Sequence, residues 1–186
     1  AAYAFSRLRF PGSKWLFIMF MAAMMIPIPG SFVALYVLLN KLHLRNTPIG
    51  YILCMINVGL STSIFLLKTF FDKMPKELED AARIDGASEF TIFLKVILPL
   101  SKPALATLGI FAFMGSWKDF LWPLIVTNRI DMRTVEVGIA NFSNLYSTDW
   151  PHQMAAAVVV MFPVIIVFIF AQKYFVKGIT MTGLKG

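Results

Sequence analysis

Residues 76–99, KELEDAARIDGASEFTIFLKVILP, form a long polar stretch set between uncharged apolar runs. Glu77, Glu79, Asp80, Arg83, Asp85 and Glu89 crowd into its first 14 residues. Local signals predict a short helix, a glycine stop and a second short helix. Pro75 suits a first helical turn, and Gly86 suits the left-handed position just past a helix end. Ser88 suits the cap of the second helix, and Pro99 closes the segment. Leu78, Ala81, Ala82 and Asp85 recur at helical spacing and give a small, flat face. Such a face either packs on its own protein or lets a partner surface approach closely, and the local pattern leaves both open.

Composition places this polar stretch beside a membrane. Of the 186 residues, 58% are hydrophobic and only 15% charged, with a mean hydropathy of +0.73. An ordinary soluble domain is far more charged and does not gather its apolar residues into long uncharged runs. Trp15–Leu39 runs for 25 residues without a charge. About 20 helical residues already cross a hydrocarbon core. Pro27 and Pro29 inside this run predict a break rather than a straight rod. Further spans are expected at about 48–67, 100–121 and 153–172, the last with Pro163 near its middle. Residues 1–6 read as the end of an earlier span, so the chain is expected to be truncated at its N-terminus. Lys118 and Asp119 interrupt the third span, and Phe120 with Trp122 read as an interfacial cluster. Residues 127–152 read as a polar loop with one short helix.

Basic residues orient the spans. Arg7, Arg9, Lys14, Lys68, Lys73, Lys76, Arg83, Lys95, Lys102, Lys173, Lys177 and Lys185 fall on one side. Lys41, Arg45, Lys118, Arg129 and Arg133 fall on the other. The richer side is expected to be cytoplasmic, which puts the 76–99 loop and the C-terminus there. The net charge of +7 then needs no nucleic-acid partner.

Catalytic patterns are lacking. His43 and His152 are far apart, with no HExxH or cysteine partner, and read as solvated loop histidines. Cys54 stands alone in an apolar run. Ser61 and Ser63 have no base beside them, which argues against an intramembrane enzyme. The glycine-bearing end Gly178–Lys185 lacks the lysine directly after its second glycine that a phosphate loop needs. Lys118 and Asp119, being adjacent, cannot share a helix face, and read as an outer anchor or as part of a substrate path.

The loop resembles the signature of ABC-importer permease subunits: EAA, three residues, Gly, nine residues, then I-x-L-P. Here Asp80-Ala81-Ala82, three residues, Gly86, nine residues and Val96-Ile97-Leu98-Pro99 keep that spacing. Asp80 stands where Glu is usual and Val96 where Ile is usual, and the shorter Asp80 weakens that carboxylate's contacts or leaves them to Glu79. AAYAFSRLRFPG, GSWKDFLWPLIV and AQKYFVKGITMTGLKG are similar to segments of the maltose-transport-type sugar permeases, which more often carry Asn at Lys118.

The resemblance implies an all-α, polytopic membrane helical bundle, the type I ABC importer permease fold, with residues 1–186 as one N-terminally truncated permease domain. It implies a loop over residues 75–99 that seats a coupling helix in ATPase subunits, carried by Glu79, Asp80, Ala81, Ala82, Asp85, Gly86, Leu98 and Pro99. The tail Thr180–Gly186 would also reach that interface. The partners implied are a dimer of cytoplasmic ATPase subunits, a second permease subunit, an extracytoplasmic solute-binding protein and the lipid bilayer. ATP would be used by the partners, with no cofactor on this chain, in a bacterial or archaeal cytoplasmic membrane. Asn57, Ser61 and Asn141 are candidate pore-lining residues. A sugar is the expected cargo, because the spans carry no converging cations for an anion. A phosphate, an amino acid or a polyol phosphate is the alternative.

Overall fold

The computed structural model describes residues 1–142 and 149–180, and every regular element among them is helical. In chain order these are α1 (Ala2–Arg7), α2 (Ser13–Met24), α3 (Ile28–Lys41), α4 (Pro48–Asp72), α5 (Glu77–Ile84) and α6 (Glu89–Ile92). A π-helical turn (Phe93–Ile97), α7 (Leu98–Leu100), α8 (Lys102–Trp117) and α9 (Leu121–Val126) follow. A 3-10 turn (Ile130–Met132), α10 (Val135–Ala140) and α11 (Trp150–Thr180) complete the order.

The apolar run at 15–39 is two helices, as its prolines predict. Pro27 is extended (ψ 126°) and caps α3, whereas Pro29 falls in the first turn, where a missing N–H costs nothing. Only one of the two prolines therefore breaks the chain. At 12 and 14 residues, each piece falls short of the about 20 residues a full crossing needs. Among the described residues, Trp150–Gln172 alone is long and apolar enough, with 23 residues and an 18-residue stretch of mean hydropathy 2.9. At 1.5 Å per residue it reaches about 34 Å. Two more spans form if the halves of α4 are taken as one, and likewise Glu89–Leu100 with Lys102–Trp117, which meet at 72°.

Two units make up the chain: Ala1–Met25, Leu60–Gly109 and Ala171–Gly186 in one, Ile26–Gly59 and Ile110–Phe170 in the other. The first unit is centred on Ala2, Tyr3, Phe71, Ile92 and Ile97, with Ala82, Ala87, Phe93 and Val96 packed around them. Phe5 adds an aromatic cluster with Phe10, Phe17 and Phe20, at ring separations of 5.9, 5.6 and 5.9 Å. Gly12 opens α2 from a left-handed φ of 82°, a conformation that suits glycine.

The second unit is centred on Leu39, Cys54, Trp122 and Val126. Trp122, expected at an interface, is instead 4% exposed and stacked on Phe32 at 5.3 Å. Within the run expected as the third span, α8 stops at Trp117 and the chain restarts as α9. The polar stretch after Thr127 carries the 3-10 turn as well as α10, and α11 begins at Trp150. At the start of α4, Thr47 Oγ accepts from the Gly50 N–H at 3.1 Å and donates to the Leu44 carbonyl at 2.6 Å. That turn is tight enough for a Cβ at position 50 to collide with the Leu44 carbonyl.

Candidate functional site: the loop between α4 and α8

The two-helix loop forms as its signals predict, and its turn chemistry is complete. Pro75 lies just outside α5 rather than in its first turn. The carbonyl of Lys76 accepts from the Glu79 and Asp80 N–H groups at 2.9 and 3.0 Å. Glu77, Glu79 and Asp80 occupy the first turn and Arg83 the last, the arrangement that a helix dipole favours. Gly86 takes φ 79°, its N–H donates to the Arg83 carbonyl at 3.0 Å, and the Ala87 N–H donates to the Ala82 carbonyl at 3.0 Å. These are the paired bonds of a Schellman motif, which needs a left-handed residue at that position. Ser88 Oγ accepts from the Thr91 N–H at 3.3 Å and so caps α6.

The loop ends in an elbow. Pro99 has no N–H for the carbonyl four residues back, and a widened π turn precedes it. Ser101, fully buried, donates from both N–H and Oγ to the Ile97 carbonyl, at 3.0 and 2.6 Å. The 72° change of direction into α8 follows.

Charges tie the loop together and to the first helix. Arg83 sits within 2.8 Å of Asp80, 2.7 Å of Glu89 and 3.5 Å of Glu79. It thereby bridges α5 to α6 across the Gly86 turn. The hydrogen bond from Arg83 is the main cause that holds the Glu89 carboxyl below its ordinary range, with desolvation opposing and Tyr3 assisting. Glu89 in turn raises the Arg83 guanidinium further. Glu79 points the other way. Its carboxylate is 2% exposed and meets Arg7 Nε at 2.8 Å, where Arg7 is 4% exposed. The two atoms touch without an aligned hydrogen bond. Arg7 Nη2 donates to the Phe71 and Met74 carbonyls, each at 2.6 Å, beside the C-terminal end of α4.

The predicted coupling residues therefore divide. Asp80, Ala81, Asp85, Gly86 and Pro99 are exposed, and Leu98 is half-buried. Ala82 packs against the Phe71–Ile92 core, and Glu79 is occupied by Arg7. Glu79 consequently cannot stand in for the shorter Asp80 toward an outside partner, because reaching one would strip a buried arginine of its counter-charge. Sequence reasoning passed over Ile84 and Phe90, which are 88% and 71% exposed. The available signal was a large apolar side chain set inside a charged loop. It also counted Arg7 only as a topology charge.

The candidate path residues are not gathered. Asn57 is exposed and Ser61 half-buried on α4, while Asn141, exposed after α10, accepts from Arg133 at 3.4 Å. Lys118 and Asp119 part company instead of forming one anchor. Asp119 accepts from the Tyr51 hydroxyl at 3.3 Å and from the Trp122 N–H at 3.4 Å. Lys118 lines a half-open cleft of about 290 Å³ with Trp117, Glu136, Val160, Met161 and Val164. Trp117 Nε1 donates across it to the Val160 carbonyl at 3.1 Å. Among the described residues no three His, Cys, Asp or Glu side chains gather as metal ligands. Most of the tail Thr180–Gly186, at residues 181–186, lies outside the described residues, as do residues 143–148 of the polar loop.

Known proteins share this sequence and fold. The chain is 38% identical, over 99% of its length, to the arabinooligosaccharides transport system permease protein AraQ of Halalkalibacterium halodurans, of which it covers 65%. It is 37% identical over its whole length to the galactooligosaccharides transport system permease protein GanQ of Bacillus subtilis, covering 66% of that protein. It is 35% identical to the maltodextrin transport system permease protein MdxG of the same organism, covering 67% of it. A crystal structure of a bacterial ABC transporter involved in the import of the acidic polysaccharide alginate matches 94% of the chain. The TM-score there is 0.76 and the identity 25%, over 66% of that protein's chain. The family described as the binding-protein-dependent transport system inner membrane component matches residues 1–181. A match of that extent decides the matter: the chain belongs to the binding-protein-dependent transport system inner-membrane components.

Proposed function

We propose that this chain is the membrane-spanning permease portion of an ATP-driven importer that carries an oligosaccharide or a smaller neutral sugar inward. The single observation that carries the proposal is the loop: two short helices around a left-handed glycine, presenting Asp80, Ala81, Asp85 and Gly86 outward at the signature spacing. A rigid helical knob with small side chains transmits displacement from a docked ATPase better than a floppy loop. The chain itself carries no ATPase chemistry. The nucleotide site lies on a dimer of cytoplasmic ATPase subunits. A second permease subunit completes the pathway, and an extracytoplasmic binding protein delivers the sugar. The loop and the C-terminus face the cytoplasm of a bacterial or archaeal cell. The sugar-permease names of the relatives support a carbohydrate cargo.

The test is reconstitution of the full complex in proteoliposomes, with purified candidate sugars and the binding protein. Sugar-stimulated ATP hydrolysis with sugar uptake is the expected result. Uptake without ATP, or stimulation by none of a panel of oligosaccharides, overturns it.

A further inference from the structure

α1 touches both halves of the loop from one face. Tyr3 and Arg7 stand four residues apart and so lie above one another on a helix. Arg7 meets Glu79 of α5 at 2.8 Å, and the Tyr3 hydroxyl donates to Glu89 of α6 at 3.1 Å. Arg7 also donates twice, at 2.6 Å, to the backbone of the segment leaving α4. The Tyr3 ring packs against Phe71 and Phe93, with centroids 6.2 and 5.1 Å away. Both members of the Arg7–Glu79 pair are almost wholly buried. A buried arginine with three partners on two elements is expensive to maintain unless every partner stays engaged. Such a group favours one fixed arrangement of the elements it joins.

We infer that Arg7 is a positioning residue for coupling: it locks α5 to α1 and to the end of α4, so that a push on the loop moves the helices it joins rather than bending the loop. The inference rests on the importer function proposed above. Tyr3 repeats the attachment for the second half of the loop, and Arg83 joins the two halves across Gly86. A push received at Asp80 or Asp85 is then carried into α1 by buried contacts one helical turn long. Only arginine fits the post. Its Nε faces Glu79 while Nη2 serves the two carbonyls, and the single ammonium of lysine cannot span that fork.

Arg7→Lys tests this in the complete transporter, with Arg9→Lys as the control, because Arg9 is an exposed neighbour on the same segment. The readout is ATP hydrolysed per sugar imported, measured with the amount of assembled complex and the hydrogen exchange of α5. The expected result for Arg7→Lys is an unchanged yield of complex, a several-fold rise in ATP used per sugar, and faster exchange confined to α5. Arg9→Lys leaves all three as they were. A purely structural role lowers uptake and hydrolysis together and leaves their ratio constant, which overturns the inference. If the wild-type complex fails to import any sugar, the function proposed above falls, and exchange decides separately. Selective loosening of α5 in Arg7→Lys then upholds the lock, and unchanged exchange removes it.

Discussion

Glu79 and Asp80 are neighbours with the same charge and opposite duties. Helical geometry turns adjacent side chains about 100° apart, so one carboxylate enters the core while the next faces outward. Glu79→Ala leaves Arg7 buried without its counter-charge, a loss of about 3 kcal/mol or more. Thermal unfolding of the complex in nanodiscs is expected to shift down accordingly. Asp80→Ala is expected to leave that melting point nearly unchanged and to weaken retention of the ATPase subunits on a tagged permease. Gly86 is a different case, because a Cβ there meets no atom within 4 Å, so bulk alone is harmless. The cost is conformational: at φ 79° an L-residue pays about 1–2 kcal/mol. Gly86→Ala is expected to slow sugar-stimulated hydrolysis, and Gly86→Asn, which tolerates the left-handed region, to recover part of it.

α5 and α6 were legible because their limits are written locally. The Gly86 stop, the Ser88 cap and the break at Pro27 each follow from one residue's own chemistry. The inward turn of Glu79 was not legible, since its partner Arg7 is supplied by α1, far away in sequence. The same applies to Trp122, whose burial depends on Phe32 of a distant helix. Composition marked its ring as interfacial, and tertiary packing prevailed. The Glu89–Arg83 bridge makes the helix pair sensitive to acid. Folding lowers the Glu89 pKa beneath its ordinary 4.5, so the bridge contributes fully above that value and is lost as pH falls through the lower, folded one. Amide protection across 77–92, corrected for the intrinsic pH dependence of exchange, is expected to be flat from neutrality down to about pH 5 and to fall below 4.5. Arg83→Gln is expected to abolish the step.

At the scale of the molecule, the basic residues set an expectation of sidedness. Arg7, Arg9, Lys14, Lys68, Lys73, Lys76, Arg83, Lys95 and Lys102 lie in the first unit, and Lys41, Arg45, Lys118, Arg129 and Arg133 in the second. The basic-residue rule assigns these two sets to opposite faces of a membrane. Membrane-impermeant maleimide is expected to reach Lys76→Cys only after the cytoplasmic side is opened. Ile130→Cys, at a side chain 82% exposed in the second unit, is expected to react from outside in sealed cells. Labelling of both from one side would refute the topology. Spans were hard to delimit from the sequence, because bent pairs such as Glu89–Leu100 with Lys102–Trp117 do not show as one continuous hydrophobic run.

Cys54 is the chain's single thiol, and it is 2% exposed among Leu39, Trp122 and Val126. This stretch of the folded chain is therefore expected to be unreactive toward sulfhydryl reagents. Its own cysteine does not compete with an introduced probe, and oxidation cannot staple two copies together through it. Spin labels, fluorophores and cross-linkers can be placed one at a time on the natural background, with the native sulfur still filling its place in the core.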